Sequence, residues 1–157
     1  MISAKDYQYL VKAVDLAELA VEKGDQAFGS ILVSEAGVIL FEGHNEVSSG
    51  DHTRHPEFAI ARWAANHLSE NDRLKATVYT SGEHCPMCAA AHGWVGLGRI
   101  VFASSSTQLQ AWSKEFGWKE SPVKALPIEE VINNCIVEGT VDDLAERVKR
   151  LHQKVFN

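Results

Sequence analysis

Two short stretches hold residues that could do chemistry together: His55-Pro56-Glu57 and His84-Cys85-Pro86-Met87-Cys88. One imidazole, from His55, and two sulfurs, from Cys85 and Cys88, form a soft donor set that suits Zn2+, one ion per chain. With both thiols ionised the ligands cancel the charge of the ion. Three protein ligands leave the fourth tetrahedral position open, which is the layout of a catalytic site. Glu57 lies two residues past His55, placed to move protons rather than to bind metal. A closed structural site would take a fourth ligand from His44, His52 or His84, and would leave Glu57 without a purpose. A redox reading of C-x-x-C leaves His55-Pro56-Glu57 unexplained.

These stretches come close to H-x-E followed by P-C-x-x-C, the signature of zinc-dependent nucleobase deaminases. Together with Ala27-Phe28-Gly29-Ser30, Gly43-His44-Asn45 and Thr80-Ser81-Gly82-Glu83, they resemble the cytidine deaminase-like superfamily. The nearer branch holds bacterial guanine deaminases, cytosine deaminases and tRNA adenosine deaminases. The resemblance runs from about Ala27 to Ala103. It departs from the usual pattern at three places. His84 stands where the family usually has proline. Pro56 stands where it usually has alanine or another residue with a backbone N–H. Ala27 stands where proline often precedes Phe-Gly. None of these removes a ligand or the glutamate.

The resemblance implies hydrolytic deamination of a small aminated heterocycle with release of ammonia. A free nucleobase or nucleoside of guanine or cytosine type is the leading substrate class. Deamination of adenosine in tRNA is the alternative, and a non-enzymatic zinc-stabilised module is a third. Zinc lowers the pKa of bound water from about 15.7 to about 7, and Glu57 would carry the proton that is released. Asn45 matches an asparagine that contacts the base in relatives. Phe28 matches a pocket wall, with plain core packing as its equal alternative, and Pro56 stands at a position whose N–H, lost here, can meet the base in relatives. Trp112 and Phe116, four residues apart, would share a helix face and offer a stacking surface, with Trp118 beyond. Core or dimer packing is their competing use. Relatives complete their pockets across subunits, so a homodimer is implied.

The elements that must position these residues follow from periodicity. Asp6 to Lys23 reads as a helix with Tyr7, Leu10, Val11, Val14, Ala17 and Val21 on its apolar face. Phe28 to Glu35 and Val38 to His44 read as strands joined by a turn at Ala36-Gly37. Gly29 would let the chain pass close to a neighbour. Pro56 to Leu68 reads as a helix with Phe58, Ala61, Ala64, Ala65 and Leu68 inward. Ala76 to Ser81 is a strand, Cys85 to Val95 a helix, and Arg99 to Ala103 a strand. His55 and Cys85 thus stand at helix N-termini, whose positive potential favours thiolates. Later come a helix over Thr107 to Phe116, an irregular stretch to Pro127 and a strand within Ile132 to Glu138. A last helix carries Leu144, Val148, Leu151 and Val155, with Thr140 as its N-cap. Glu83 would fix the cysteine loop through backbone hydrogen bonds, His84 would face the substrate or, as the favoured reading, simply be exposed, and Cys135 would be a small buried hydrophobe. His67, His92 and His152 read as structural. This alternation implies an α/β fold, three layers (α/β/α) around a mixed sheet of about five strands, in one domain over 1–157.

Composition narrows the partners. The chain has 157 residues, 45% hydrophobic and 23% charged, an ordinary globular balance. No long apolar run or signal-like N-terminus occurs, so neither a membrane span nor export is expected. Three cysteines are too few for a disulfide framework, and with no secretion signal the expected compartment is the cytoplasm. The net charge of −6, from 21 Asp and Glu against 15 Lys and Arg, disfavours a polyanion such as tRNA. The late Arg147, Lys149, Arg150 and Lys154 form the one basic cluster, and acidic and apolar positions interrupt it.

Overall fold

The computed structural model describes residues 1–155 and forms one five-stranded sheet with helices on both faces. Helix α1 (Ala4–Glu22) starts at a capping box, in which the Ser3 hydroxyl accepts from Asp6 N and the Asp6 carboxylate accepts from Ser3 N. Strands β1 (Gly29–Val33) and β2 (Ile39–His44) form a hairpin. Helix α2 (Pro56–His67) and the short helix α3 (Glu70–Lys75) lead to β3 (Thr77–Gly82). Helix α4 (Pro86–Val95), strand β4 (Ile100–Ser104) and helix α5 (Ser106–Phe116) follow. The two-residue strand β5 (Val137–Glu138) and helix α6 (Asp142–Val155) complete the described chain. The strand order is β2-β1-β3-β4-β5. β1 is antiparallel to both neighbours, while β3, β4 and β5 run parallel.

Two apolar clusters sandwich the sheet. On one face α1 and α6 pack Leu10, Val14, Ala17, Leu144, Val148 and Leu151 against Ile31, Val33, Tyr79 and Val101. On the other, α2 packs Ile60, Ala61 and Ala64 against Leu32 and Val78. Neighbouring residues of β1 and β3 therefore serve opposite faces. Gly29 is obligatory because a Cβ there would come within 2.2 Å of the Ala13 carbonyl oxygen of α1.

Several local expectations shift. The inward face of α1 is Asp6, Leu10, Ala13, Val14, Ala17 and Ala20, whereas Tyr7 is 37% exposed. In α2 the inward apolar side chains are Ile60, Ala61 and Ala64, and Ala65 is exposed. A small alanine satisfies either phase of the period, so the larger Ile60 decides. Helix α3, nucleated by the Ser69 side chain accepting from Asp72 N, has no apolar stripe by which periodicity would reveal it. Helix α6 begins at Asp142, so Thr140 lies too early to be its N-cap.

A candidate metal centre and its carboxylate

The site is built where α2 and α4 begin, beside the C-terminal end of β3. His55 is the N-cap of α2 and Cys85 the N-cap of α4, each followed by proline at the first helical position. Neither N-cap side chain makes a capping hydrogen bond, so both remain free to be ligands. His55 Nδ1, Cys85 Sγ and Cys88 Sγ form a triangle with every side 3.5 Å. Those edges match a tetrahedron around zinc with bonds of about 2.0–2.3 Å. Among the described residues no fourth His, Cys, Asp or Glu joins this cluster.

The charge of the donor set also fits a divalent cation. Cys85 is lowered to about 4, first by its hydrogen bond with Cys88 and further by the one with His55. Cys88, fully buried, is pushed far up by the same bond, by desolvation and by the charge of Glu57. The pair by itself thus holds one thiolate and one thiol. A second negative charge 3.5 Å from the first needs a cation among the donors.

Glu57 occupies the second position of α2 and is 5% exposed. Two hydroxyls converge on its Oε1, Ser30 Oγ at 2.9 Å and Thr80 Oγ1 at 3.0 Å. Burial raises its proton affinity, the Cys85 charge adds to that, and His55 and the Ser30 bond oppose it. A carboxyl whose proton affinity is raised in this way is suited to take a proton and give it back.

Asn45 follows β2 and is fully buried. Its Oδ1 accepts from Val47 N at 3.1 Å and Gln26 N at 3.3 Å, while its Nδ2 has no partner. The amide is therefore held with its donor end free. Pro56 is buried at the start of α2, its Cβ 3.5 Å from where a Cβ on Gly43 would sit. Phe28, half-buried just before β1, touches His152 edge-on with ring centroids 4.9 Å apart. Trp112 lies in the α1/α6 core at 8% exposure, with its ring 6.1 Å from His152, and Phe116 packs on the same cluster. The late aromatics thus reach Phe28 through His152.

His84 corrects an expectation. It is 1% exposed, with neither ring nitrogen hydrogen-bonded, and it lies edge-on to His92 at 5.5 Å. Burial and the neighbouring His92 hold it neutral, well below the usual histidine range. Glu83 fixes the loop as expected, since its carboxylate accepts from Ser106 N, Ser106 Oγ and Ile128 N. The sequence reading missed Ser30 and Thr80 as partners of Glu57. Both stood in quoted motifs, and a hydroxyl at a buried strand position was the signal available.

A family model described as the cytidine and deoxycytidylate deaminase zinc-binding region matches residues 3–104. The probable cytosine deaminase of Schizosaccharomyces pombe is 33% identical over 116 residues, covering 74% of this chain and 70% of that protein. The tRNA-specific adenosine deaminase of Haemophilus influenzae is 31% identical over 112 residues, covering 71% and 65%. These matched stretches span about two thirds of the relatives' own lengths. The crystal structure of a guanine deaminase from Bacillus subtilis superposes with a TM-score of 0.59 at 29% identity, covering 77% of this chain and 82% of that one.

Proposed function

The chain belongs to the cytidine and deoxycytidylate deaminase family, and from that premise we propose that it deaminates a small heterocycle, a free nucleobase or nucleoside of guanine or cytosine type. The reaction consumes one water, breaks the ring-carbon bond to the exocyclic amine, forms a carbonyl and releases ammonia. The observation that carries this reading is the buried Glu57, pinned through one oxygen beside a complete three-ligand set.

Zinc held by His55, Cys85 and Cys88 would supply Lewis acidity and a water of lowered pKa. Glu57 would take one proton from the attacking water and give it to the ring nitrogen, then take the proton of the hydroxyl left on the ring carbon and give it to the departing amine. Asn45 offers only its N–H₂, so the ring must present an acceptor there, a carbonyl oxygen or an unprotonated nitrogen. Phe28 and Pro56 would form apolar walls, and Trp112 directly and Phe116 by way of Trp118 would support Phe28 through His152.

Similarity to a tRNA-specific adenosine deaminase supports the second reading, adenosine in tRNA. Against it, the basic cluster of α6 is largely neutralised. Arg147 pairs with Asp15 and Glu18, Lys149 with Glu115, and Arg150 with Glu146. A polyanion needs cations free to meet phosphates. The free thiols of Cys85, Cys88 and Cys135 suit a reducing compartment, and we place the protein in the cytoplasm. No helix among the described residues is long and apolar enough to cross a membrane. We further assign it a homodimer, on its resemblance to small deaminases that complete their pockets across subunits.

The test is ammonia release by zinc-loaded protein from guanine, cytosine, their nucleosides and unmodified tRNA. Turnover of at least one base or nucleoside is expected. Turnover of tRNA alone would promote the second reading, and no turnover at all would remove both. A fully active monomer in sedimentation at micromolar concentration would rule out the dimer.

A further inference from the structure

Behind Glu57 lies a buried hydroxyl pair that metal binding does not require. Ser30 on β1 and Thr80 on β3 are directly opposed in the antiparallel register, and both are fully buried. Their flanking residues fix the face they occupy. Ile31 and Tyr79 point to the α1/α6 core, whereas Leu32 and Val78 point to α2. Alternation therefore turns Ser30 and Thr80 toward α2, under its first turn.

Three oxygens form a closed triangle there. Ser30 Oγ lies 2.9 Å from Glu57 Oε1, Thr80 Oγ1 lies 3.0 Å from the same oxygen, and the two hydroxyls are 2.8 Å apart. Thr80 Oγ1 also lies 2.9 Å from the carbonyl oxygen of Gly82. Each hydroxyl has one proton to give. While Glu57 is charged, several arrangements satisfy the group. Ser30 can donate to Oε1 while Thr80 donates to Gly82, to Ser30 or to Oε1 itself, or Ser30 can donate to Thr80 while Thr80 donates to Oε1. Each of these leaves a hydroxyl proton on Oε1, and none places a hydroxyl on Oε2. Two buried hydroxyls in a strand interior are costly unless bonded, and these are bonded to the carboxylate.

We propose that Ser30 and Thr80 are positioning residues for Glu57, clamping Oε1 so that Oε2 is the oxygen that moves protons. The proposal rests on the reading of Glu57 as the shuttle. It adds that the carboxyl plane is set by the β1–β3 register, not by α2 alone. Without the clamp the carboxyl would rotate about its last torsion, and the reacting oxygen would lose its fixed place.

The test uses full-length zinc-loaded protein with Ser30→Ala, Thr80→Val and Thr80→Ser, each in the wild-type and the Glu57→Gln background. One readout needs no turnover. The infrared difference spectrum between wild type and Glu57→Gln isolates the Glu57 carboxyl band. That band should shift in Ser30→Ala and Thr80→Val, and stay in place in Thr80→Ser, which restores the hydroxyl. The second readout is steady-state ammonia release from whichever base or nucleoside the wild type turns over. There, kcat should fall roughly tenfold in Ser30→Ala and Thr80→Val with KM within about twofold. Thr80→Ser should recover most of it, and in the Glu57→Gln background neither hydroxyl deletion should cost anything more. A carboxyl band unmoved in both deletions overturns the proposal whatever the activity does. An equal loss with and without Glu57 overturns it too. A shifted band in a protein that turns over no substrate upholds the clamp and sinks the deaminase reading instead.

Discussion

Phe28 stands edge-on to His152 with ring centroids 4.9 Å apart, and this contact joins the mouth of β1 to the last helix. His152 also meets Trp112 and Trp118. Support and surface can therefore be separated by mutation. Phe28→Ala should raise KM several-fold with a modest loss of stability, because its ring is half-exposed. Trp112→Ala empties a core position, and should cost about 3–5 kcal/mol with a smaller effect on KM. Urea unfolding and steady-state kinetics on both variants check this. A larger KM effect from Trp112→Ala would put Trp112 against the substrate.

Zinc content should be about one ion per chain by elemental analysis. Cys88→Ala should lose both the metal and several degrees of melting temperature, since Cys88 is fully buried and the site ties α2 to α4. Zinc binding should release protons, because Cys88 is held protonated without it and His55 is raised by its bond to Cys85. Calorimetry in buffers of differing ionisation enthalpy measures that release. Affinity should fall as pH falls. Absence of zinc from freshly purified protein, with no uptake on addition, would count against the whole site.

Glu57→Gln should keep its fold and its zinc and lose at least about 10²-fold in kcat. The amide preserves shape and cannot accept the proton. Near wild-type turnover would remove Glu57 from the shuttle role.

Acid stability should depend on Asp6. Its carboxylate is 6% exposed, takes two bonds from Arg99 at 2.9 and 3.0 Å, and accepts one from Tyr79 at 2.6 Å. The Arg99 guanidinium holds it well below the usual carboxylate range. A group depressed in the folded state contributes stability above its unfolded pKa of about 3.9. That contribution is lost as pH falls through the folded value. Arg99→Ala should cost about 2–4 kcal/mol at neutral pH and flatten the loss of stability below about pH 4. Urea midpoints across pH in both proteins test it.

Turnover should depend little on salt. The ion pairs of α6 leave little free positive charge to be screened. A steep fall in activity between about 50 and 200 mM salt is the behaviour of a phosphate-binding site, and would favour the tRNA reading.

The donor set of His55, Cys85 and Cys88 was legible in the sequence because residue types and spacing within each stretch are local, while only the fold brings the two stretches, 30 residues apart, together. A histidine two residues from a glutamate and cysteines at i, i+3 constrain themselves through the first turns of α2 and α4. Strand and helix order was legible because apolar periods of two and near four report burial within one element. The phase of α1 was not legible, since Tyr7 and Asp6 compete for the inward face. Arg99, 93 residues away in sequence, resolves that competition in favour of Asp6. The burial of His84 was equally hidden, because it shows only where the loop before α4 packs the ring against His92. The Ser30–Thr80 clamp exists only through the pairing of β1 with β3, 50 residues apart in sequence. Register is a property of the assembled sheet, and a slip of one residue would turn both hydroxyls to the opposite face. Residue types determined which chemistry is possible here, and tertiary pairing decided which oxygen of Glu57 is held and which is left to react.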